Sequence, residues 1–181
     1  MKNKILFVFL LALIGNAYSQ SKNSVKEVGK IAEKMFSWDI EKSEKGTMMF
    51  LDVPYLRENK KTEEYLTLTV AKAKTQNRPQ FISIIIPNNV VKDNGIFIKF
   101  GNEELEKSSP VRVQFENCND ETCTARIIGG YVGEKKSKEK TDIFQKFLTF
   151  KHVYFLFTYS DGSHKSVSVP LYSFQKQYKS L

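Results

Sequence analysis

The sequence predicts a mainly β domain, a sandwich or barrel with short helices, and three observations carry that prediction. From Trp38 onward the apolar residues recur at every second position, the spacing of strands with one buried face. Thr67, Thr69 and many β-branched neighbours suit pleated surfaces. Turn signals punctuate the chain at intervals of roughly 8–15 residues, a pattern typical of sandwiches and barrels.

In order, the candidate strands are Thr47–Val53, Tyr65–Ala71, Gln80–Ile86, Ile96–Phe100, Val111–Phe115, Ala125–Gly130, Val153–Tyr159 and His164–Val169. Ile82, Ile84, Ile85 and Ile86 make an apolar run that belongs at the centre of a sheet. Asp93-Asn94-Gly95 and Ser160-Asp161-Gly162 read as hairpin turns. Two charged stretches, Arg57–Glu64 and Glu134–Lys140, mix signs and read as solvated loops. After the second, Thr141 or Asp142 can cap a short helix with Ile143, Phe144, Phe147 and Leu148 on one side.

Ahead of this domain, residues 1–19 read as a signal peptide. Lys2 and Lys4 form a positive start, Ile5–Ile14 is an unbroken apolar run, and Ala17-Tyr18-Ser19 places small residues before a cut between Ser19 and Gln20. The apolar run is about half the length that spans a bilayer. The expected product is therefore exported, periplasmic or at the cell surface, and not integral to the membrane. Residues 20–37 then form an N-terminal helical segment. Ser24 and Glu27 make a capping box, and Val25, Val28, Ile31, Ala32, Met35 and Phe36 line one face. The β domain occupies 38–181.

The chain carries a formal charge of +8, and removing Lys2 and Lys4 with the signal segment leaves +6. Lysine supplies most of it. Such a surface either keeps the protein soluble or attracts anionic surfaces weakly, with Lys135, Lys136, Lys138 and Lys140 as the candidate contacts. Arginine, suited to bidentate phosphate recognition, is sparse, and together with export this argues against a nucleic-acid partner.

The two cysteines, Cys118 and Cys123, enclose four residues in CNDETC. An even count in an oxidising compartment reads as a structural disulfide. A redox pair would have two intervening residues, and a zinc site would need more ligands than His152 and His164 provide. The sequence contains no nucleophile elbow, zinc-protease helix, phosphate-cradling glycine loop or calcium loop. No catalytic residue, cofactor or metal ligand is therefore assigned. Asp120 and Glu121, in the cysteine loop, are expected to stay hydrated. Trp38 and the tyrosines are either core residues or stacking surfaces for a small molecule or glycan.

One run of residues carries a family resemblance. Arg78-Pro79-Gln80, Ile86-Pro87-Asn88-Asn89-Val90, Gly95-Ile96, Phe100-Gly101, Pro110-Val111 and Phe115-Glu116-Asn117-Cys118 follow in order. Cys123-Thr124-Ala125, Asp161-Gly162 and Leu171-Tyr172-Ser173-Phe174 complete it. The order resembles the invasion-associated locus B family of bacterial exported proteins, over roughly residues 36–178 and most strongly 79–178. The resemblance implies an immunoglobulin-like β-sandwich, a periplasmic or surface location and a non-enzymatic role in interaction, in some pathogens with host cells. The partner would be an envelope or host-surface protein that the sequence does not name. Family members often carry a further cysteine pair soon after the first tryptophan; the residues after Trp38 hold none.

Overall fold

Alternating apolar side chains build two antiparallel sheets around one core. The computed structural model describes residues 36–57, 61–102, 109–133 and 140–179. The signal segment, the Ser19–Gln20 cut, the N-terminal helix up to Met35, and Lys135, Lys136 and Lys138 lie outside the described residues. In chain order the strands are β1 (Asp39–Lys42), β2 (Gly46–Arg57), β3 (Thr62–Ala73), β4 (Phe81–Pro87), β5 (Ile96–Gly101) and β6 (Val111–Val113). They continue with β7 (Phe115–Cys118), β8 (Thr122–Ile128), β9 (Tyr131–Val132), β10 (Thr141–Asp142), β11 (His152–Thr158) and β12 (His164–Pro170). Among the described residues there are also two α-helices, α1 (Ile143–Thr149) and α2 (Tyr172–Tyr178).

One sheet has the order β1-β2-β3-β4-β8-β7, the other β12-β11-β5-β6, and β9 and β10 form a small ribbon. The inward faces share a single apolar core, giving a β-sandwich-like domain. Met49, Leu51 and Val53 of β2, Leu66 and Leu68 of β3, and Ile82, Ile84 and Ile86 of β4 come from the larger sheet. Ile96, Ile98 and Phe100 of β5 and Val153, Phe155 and Phe157 of β11 come from the smaller. Burying each such side chain stabilises the fold by about 1.5–3 kcal/mol. As the isoleucine run requires, β4 is an interior strand, between β3 and β8.

The helices add an aromatic cluster to this core. Phe147 of α1 stands 5.5 Å from both Phe100 and Phe174, and Trp38 packs 5.1 Å from Phe174. Trp38 is buried, so it offers no stacking surface to solvent. Asp142 caps α1 as expected, its carboxylate accepting a hydrogen bond from the Gln145 amide at 2.9 Å.

Three local expectations are corrected. Asp93-Asn94-Gly95 is not a hairpin turn: Lys92–Asn94 form a 3-10 turn, and Gly95 carries the chain from β4 in one sheet to β5 in the other. Its φ of 65° lies where side chains are strained, and a Cβ there would collide with the Val113 carbonyl oxygen. Val111–Phe115 is not one strand, because the chain changes sheets at Gln114 between β6 and β7. The stretch Arg57–Glu64 is not wholly a solvated loop: strand pairing continues to Arg57 and resumes at Thr62. The Ser160-Asp161-Gly162 turn does join β11 to β12, with Gly162 at φ 83° and its amide donating to the Tyr159 carbonyl at 2.9 Å.

Cys118 and Cys123 face each other directly across β7 and β8 and are joined as a disulfide, their Cα atoms 4.1 Å apart. The enclosed turn is also tied by Asn119, whose side-chain oxygen accepts from the amides of Glu121 at 2.9 Å and Thr122 at 2.7 Å. Asp120 and Glu121 are exposed. Replacing both cysteines by serine is expected to lower unfolding free energy by roughly 1–3 kcal/mol, in keeping with a short ring, while the fold survives. Thermal denaturation followed by circular dichroism measures this; loss of the folded spectrum in the double variant would contradict it.

Candidate functional site

Continuing the inward face of β2 through Met49, Leu51, Val53 and Tyr55 brings Arg57 inside, where its side chain is 4% exposed. The same step on β3, from Leu68 through Leu66, brings in Glu64, opposite Tyr55 in the strand register. These charged residues end otherwise apolar faces, at the edge of the core beneath the β11–β12 turn.

The groups meet in one network. Tyr159 donates to Glu64 Oε2 at 2.6 Å and Tyr55 to the same oxygen at 3.1 Å. Asn89 donates to Oε1 at 3.4 Å. Arg57 Nη2 reaches Asp161 Oδ2 at 2.6 Å, while Nη1 lies 3.5 Å from Glu64 Oε1. The guanidinium sits 3.9 Å from the Tyr159 ring centroid, in cation–π geometry. Glu64 and Arg57 belong to the larger sheet, and Tyr159 and Asp161 to the turn of the smaller, so the network clamps the two sheets together. Ser163 fixes Asp161 by donating from its amide at 3.0 Å and its hydroxyl at 2.6 Å.

Electrostatics within the clamp move every titration away from neutrality. Burial alone would push the Glu64 carboxyl up; hydrogen bonds from Tyr159, Asn89 and Tyr55 and the Arg57 charge outweigh it and hold it below its ordinary value. Asp161 is held down to about 2 by Ser163 and Arg57. Burial and Glu64 push Tyr159 up to about 12 against the opposing effects of Tyr55 and Arg57, and burial first of all raises Tyr55 as well. A general acid or base works best with its pKa near the operating pH. These groups are fixed as carboxylates and phenols instead.

A second feature lies on the outer face of the smaller sheet, a groove of about 570 Å³. Outward-facing Phe97 and Lys99 of β5, Leu156 and Thr158 of β11, and His164 and Ser166 of β12 line it, with Pro110 beside them. Phe157 and Lys165 border it with side chains turned elsewhere: Phe157 into the core, and Lys165 to the Leu56 carbonyl at 2.7 Å. Phe97, Leu156 and Ser166 form one cross-strand row, flanked by the Lys99 row on one side and the Thr158–His164 row on the other. His164 Nδ1 lies 3.1 Å from the Thr158 hydroxyl.

Of the site residues assigned from the sequence that lie among the described residues, the structure brings together Cys118 and Cys123. Lys140 is exposed just before β10 and belongs to neither feature. His164 lines the groove, whereas His152 starts the far end of β11. Among the described residues no group of three or more His, Cys, Asp or Glu could hold a metal ion. Nor is any described helix long and apolar enough to cross a membrane. Sequence reading missed the clamp, although the signal was present: extending the period-two register of β2 and β3 one step places Arg57 and Glu64 on the inward face.

The class defined by this fold is a mainly antiparallel, β-sandwich-like domain with two short helices. No protein-family model matches the chain, and no curated protein matches it. Among solved structures, invasion-associated protein B from Bartonella henselae is similar at 10% sequence identity and TM-score 0.49, covering 79% of this chain and 87% of that one. The likeness is distant and at the level of the fold.

Because Glu64 and Asp161 are held below their ordinary values, their contribution to stability is complete above those values, 4.5 and 3.8, and is lost as pH falls through the lowered ones, about 2 for Asp161. Removing Arg57 leaves Glu64 without its cation in a largely dry site. Arg57→Met is therefore expected to cost about 3 kcal/mol and to flatten the loss of stability between about pH 4 and pH 2. Urea unfolding across that range measures both, and an unchanged acid profile in the variant would remove Arg57 from the clamp.

Proposed function

We propose that this chain is an exported, non-enzymatic β-sandwich of immunoglobulin-like type, acting through its surface on an envelope or host-surface partner. The observation that carries the reading is the state of the Arg57–Glu64–Tyr159–Asp161 network. It is the largest constellation of interacting titratable side chains among the described residues. Its charges are paired, and its carboxyls and phenols are shifted away from the range useful for proton transfer at neutral pH. The signal-like N-terminus, the cysteine pair and the resemblance to invasion-associated locus B sequences support export and interaction.

The basic surface supplies a weak attraction to anionic envelopes. Exposed charges are screened beyond about 8 Å at physiological ionic strength, so this attraction assists encounter and leaves specificity to other contacts. A second reading, a small-molecule binder, is favoured by the groove on the smaller sheet. It does not use Trp38, which is buried.

The direct test is association of the exported protein with vesicles containing anionic lipid. Protein recovered from the envelope is expected to begin at Gln20 by intact mass. Charge reversal at Lys135, Lys136, Lys138 and Lys140 is expected to weaken vesicle association at low salt and to have little effect at high salt. Recovered protein that retains Met1 would overturn the export reading. Association indifferent to the reversal would remove the lysine surface from it.

A further inference from the structure

We propose that the groove on the smaller sheet binds an amphiphilic carboxylate, its apolar body over Phe97, Leu156 and Pro110 and its head against Lys99. The proposal deepens the small-molecule-binding reading of the groove and rests on it.

The occupant follows from what the groove offers and lacks. Its middle row places Phe97 beside Leu156, both only partly buried on adjacent strands, so an apolar body removes their remaining surface from water. Lys99 stands one row away, and no aspartate or glutamate is among the described lining residues, so charge complementarity with Lys99 favours an anion over a cation. Among the described lining residues there is no arginine either, which fits a single carboxylate better than a phosphate held by a bidentate fork. Ser166 ends the middle row on β12, and at the end opposite Lys99 the Thr158 and His164 side chains present polar groups to water. The Lys99 and Thr158 rows are four residues apart on β11, a span of about 13 Å. That length and the volume suit a small ligand, since drug-sized pockets run from about 300 to 1,000 Å³.

Strand pairing separates this ligand from an extended peptide. β5 is paired with β11 and β6, and β11 with β5 and β12. The backbone beneath Phe97 and Leu156 is therefore already paired on both sides, and a strand-like peptide laid over these two finds no ladder to join. Recognition falls to side chains, which suits a compact amphiphile.

The experiment titrates the exported protein with dodecanoate below its micelle concentration, with dodecanol and dodecylammonium as the uncharged and cationic probes. Calorimetry gives affinity and amide NMR shifts give location. Dodecanoate is expected to perturb the amides of Phe97, Lys99, Leu156 and Ser166 and to bind at least about ten-fold tighter than dodecylammonium. Lys99→Gln is expected to weaken dodecanoate by about three- to ten-fold and to leave dodecanol unchanged, while Lys99→Arg restores most of the loss. Leu156→Ser is expected to weaken both dodecanoate and dodecanol. The melting temperature of each variant checks that it is folded. Equal binding of carboxylate and ammonium, shifts centred outside the groove, or indifference to Lys99→Gln in a folded variant would each overturn the proposal. Recovered dodecanoate is expected to be unaltered by mass spectrometry; its conversion to a product would uphold the ligand class while overturning the non-enzymatic reading, so the two failures remain distinct.

Discussion

A buried arginine has to be answered, and the answer given to Arg57 organises one end of this molecule. An uncompensated guanidinium in a dry interior costs several kcal/mol. Here the opposing sheet supplies the Asp161 carboxylate and the Tyr159 ring, and the neighbouring strand supplies Glu64. Because Asp161 and Tyr159 sit at the turn between β11 and β12, pairing the Arg57 charge fixes where that hairpin lies over β2 and β3. The loop after β4 joins the same arrangement: the Val91 amide donates to the Thr158 carbonyl at 2.8 Å, and the Ser160 amide to the Asn89 carbonyl at 2.9 Å.

The groove inherits its shape from this arrangement. Thr158 and His164, which close one end of it, immediately precede Tyr159 and follow Ser163, both held by the clamp. Lys165 ties the same hairpin to β2 through the Leu56 carbonyl and lies 5.7 Å from the Tyr55 ring centroid. The inner face of the β11–β12 hairpin is thus committed to holding the sheets together, which leaves its outer face, with Leu156 and Ser166, free to meet a ligand. The aromatic cluster of Trp38, Phe100, Phe147 and Phe174 does comparable packing in the helix-capped part of the core, by dispersion and burial rather than by charge.

Local signals made much of the fold legible. The isoleucine run marked an interior strand, Asp142 marked the start of a helix, and Asp161-Gly162 marked a hairpin. Those features depend on neighbours in sequence. The failures came where tertiary geometry decides. Asp93-Asn94-Gly95 has turn chemistry that serves a hairpin or a crossing between sheets equally well, and only the packing of Gly95 against Val113 separates them. The break at Gln114 has no strong turn residue to announce it. Arg57 and Glu64 were assigned to water because charged residues usually are exposed. Their place in the register of β2 and β3 outweighed that rule, since Asp161, more than a hundred residues later, returns to pair with Arg57. The groove escaped notice for the same reason: Lys99, Leu156 and His164 come from three strands and share no motif.

Whether the buried network is a clamp or a catalytic centre turns on the protonation of Glu64. Its titration can be followed directly from the side-chain carboxyl carbon by NMR in labelled protein, with Glu64→Gln assigning the resonance. A clamp built from two tyrosine hydroxyls, Asn89 and Arg57 requires a midpoint below the ordinary glutamate value, with the carboxylate ionised throughout the neutral range. A midpoint raised toward neutrality would contradict the clamp and mark Glu64 as a group poised to exchange protons.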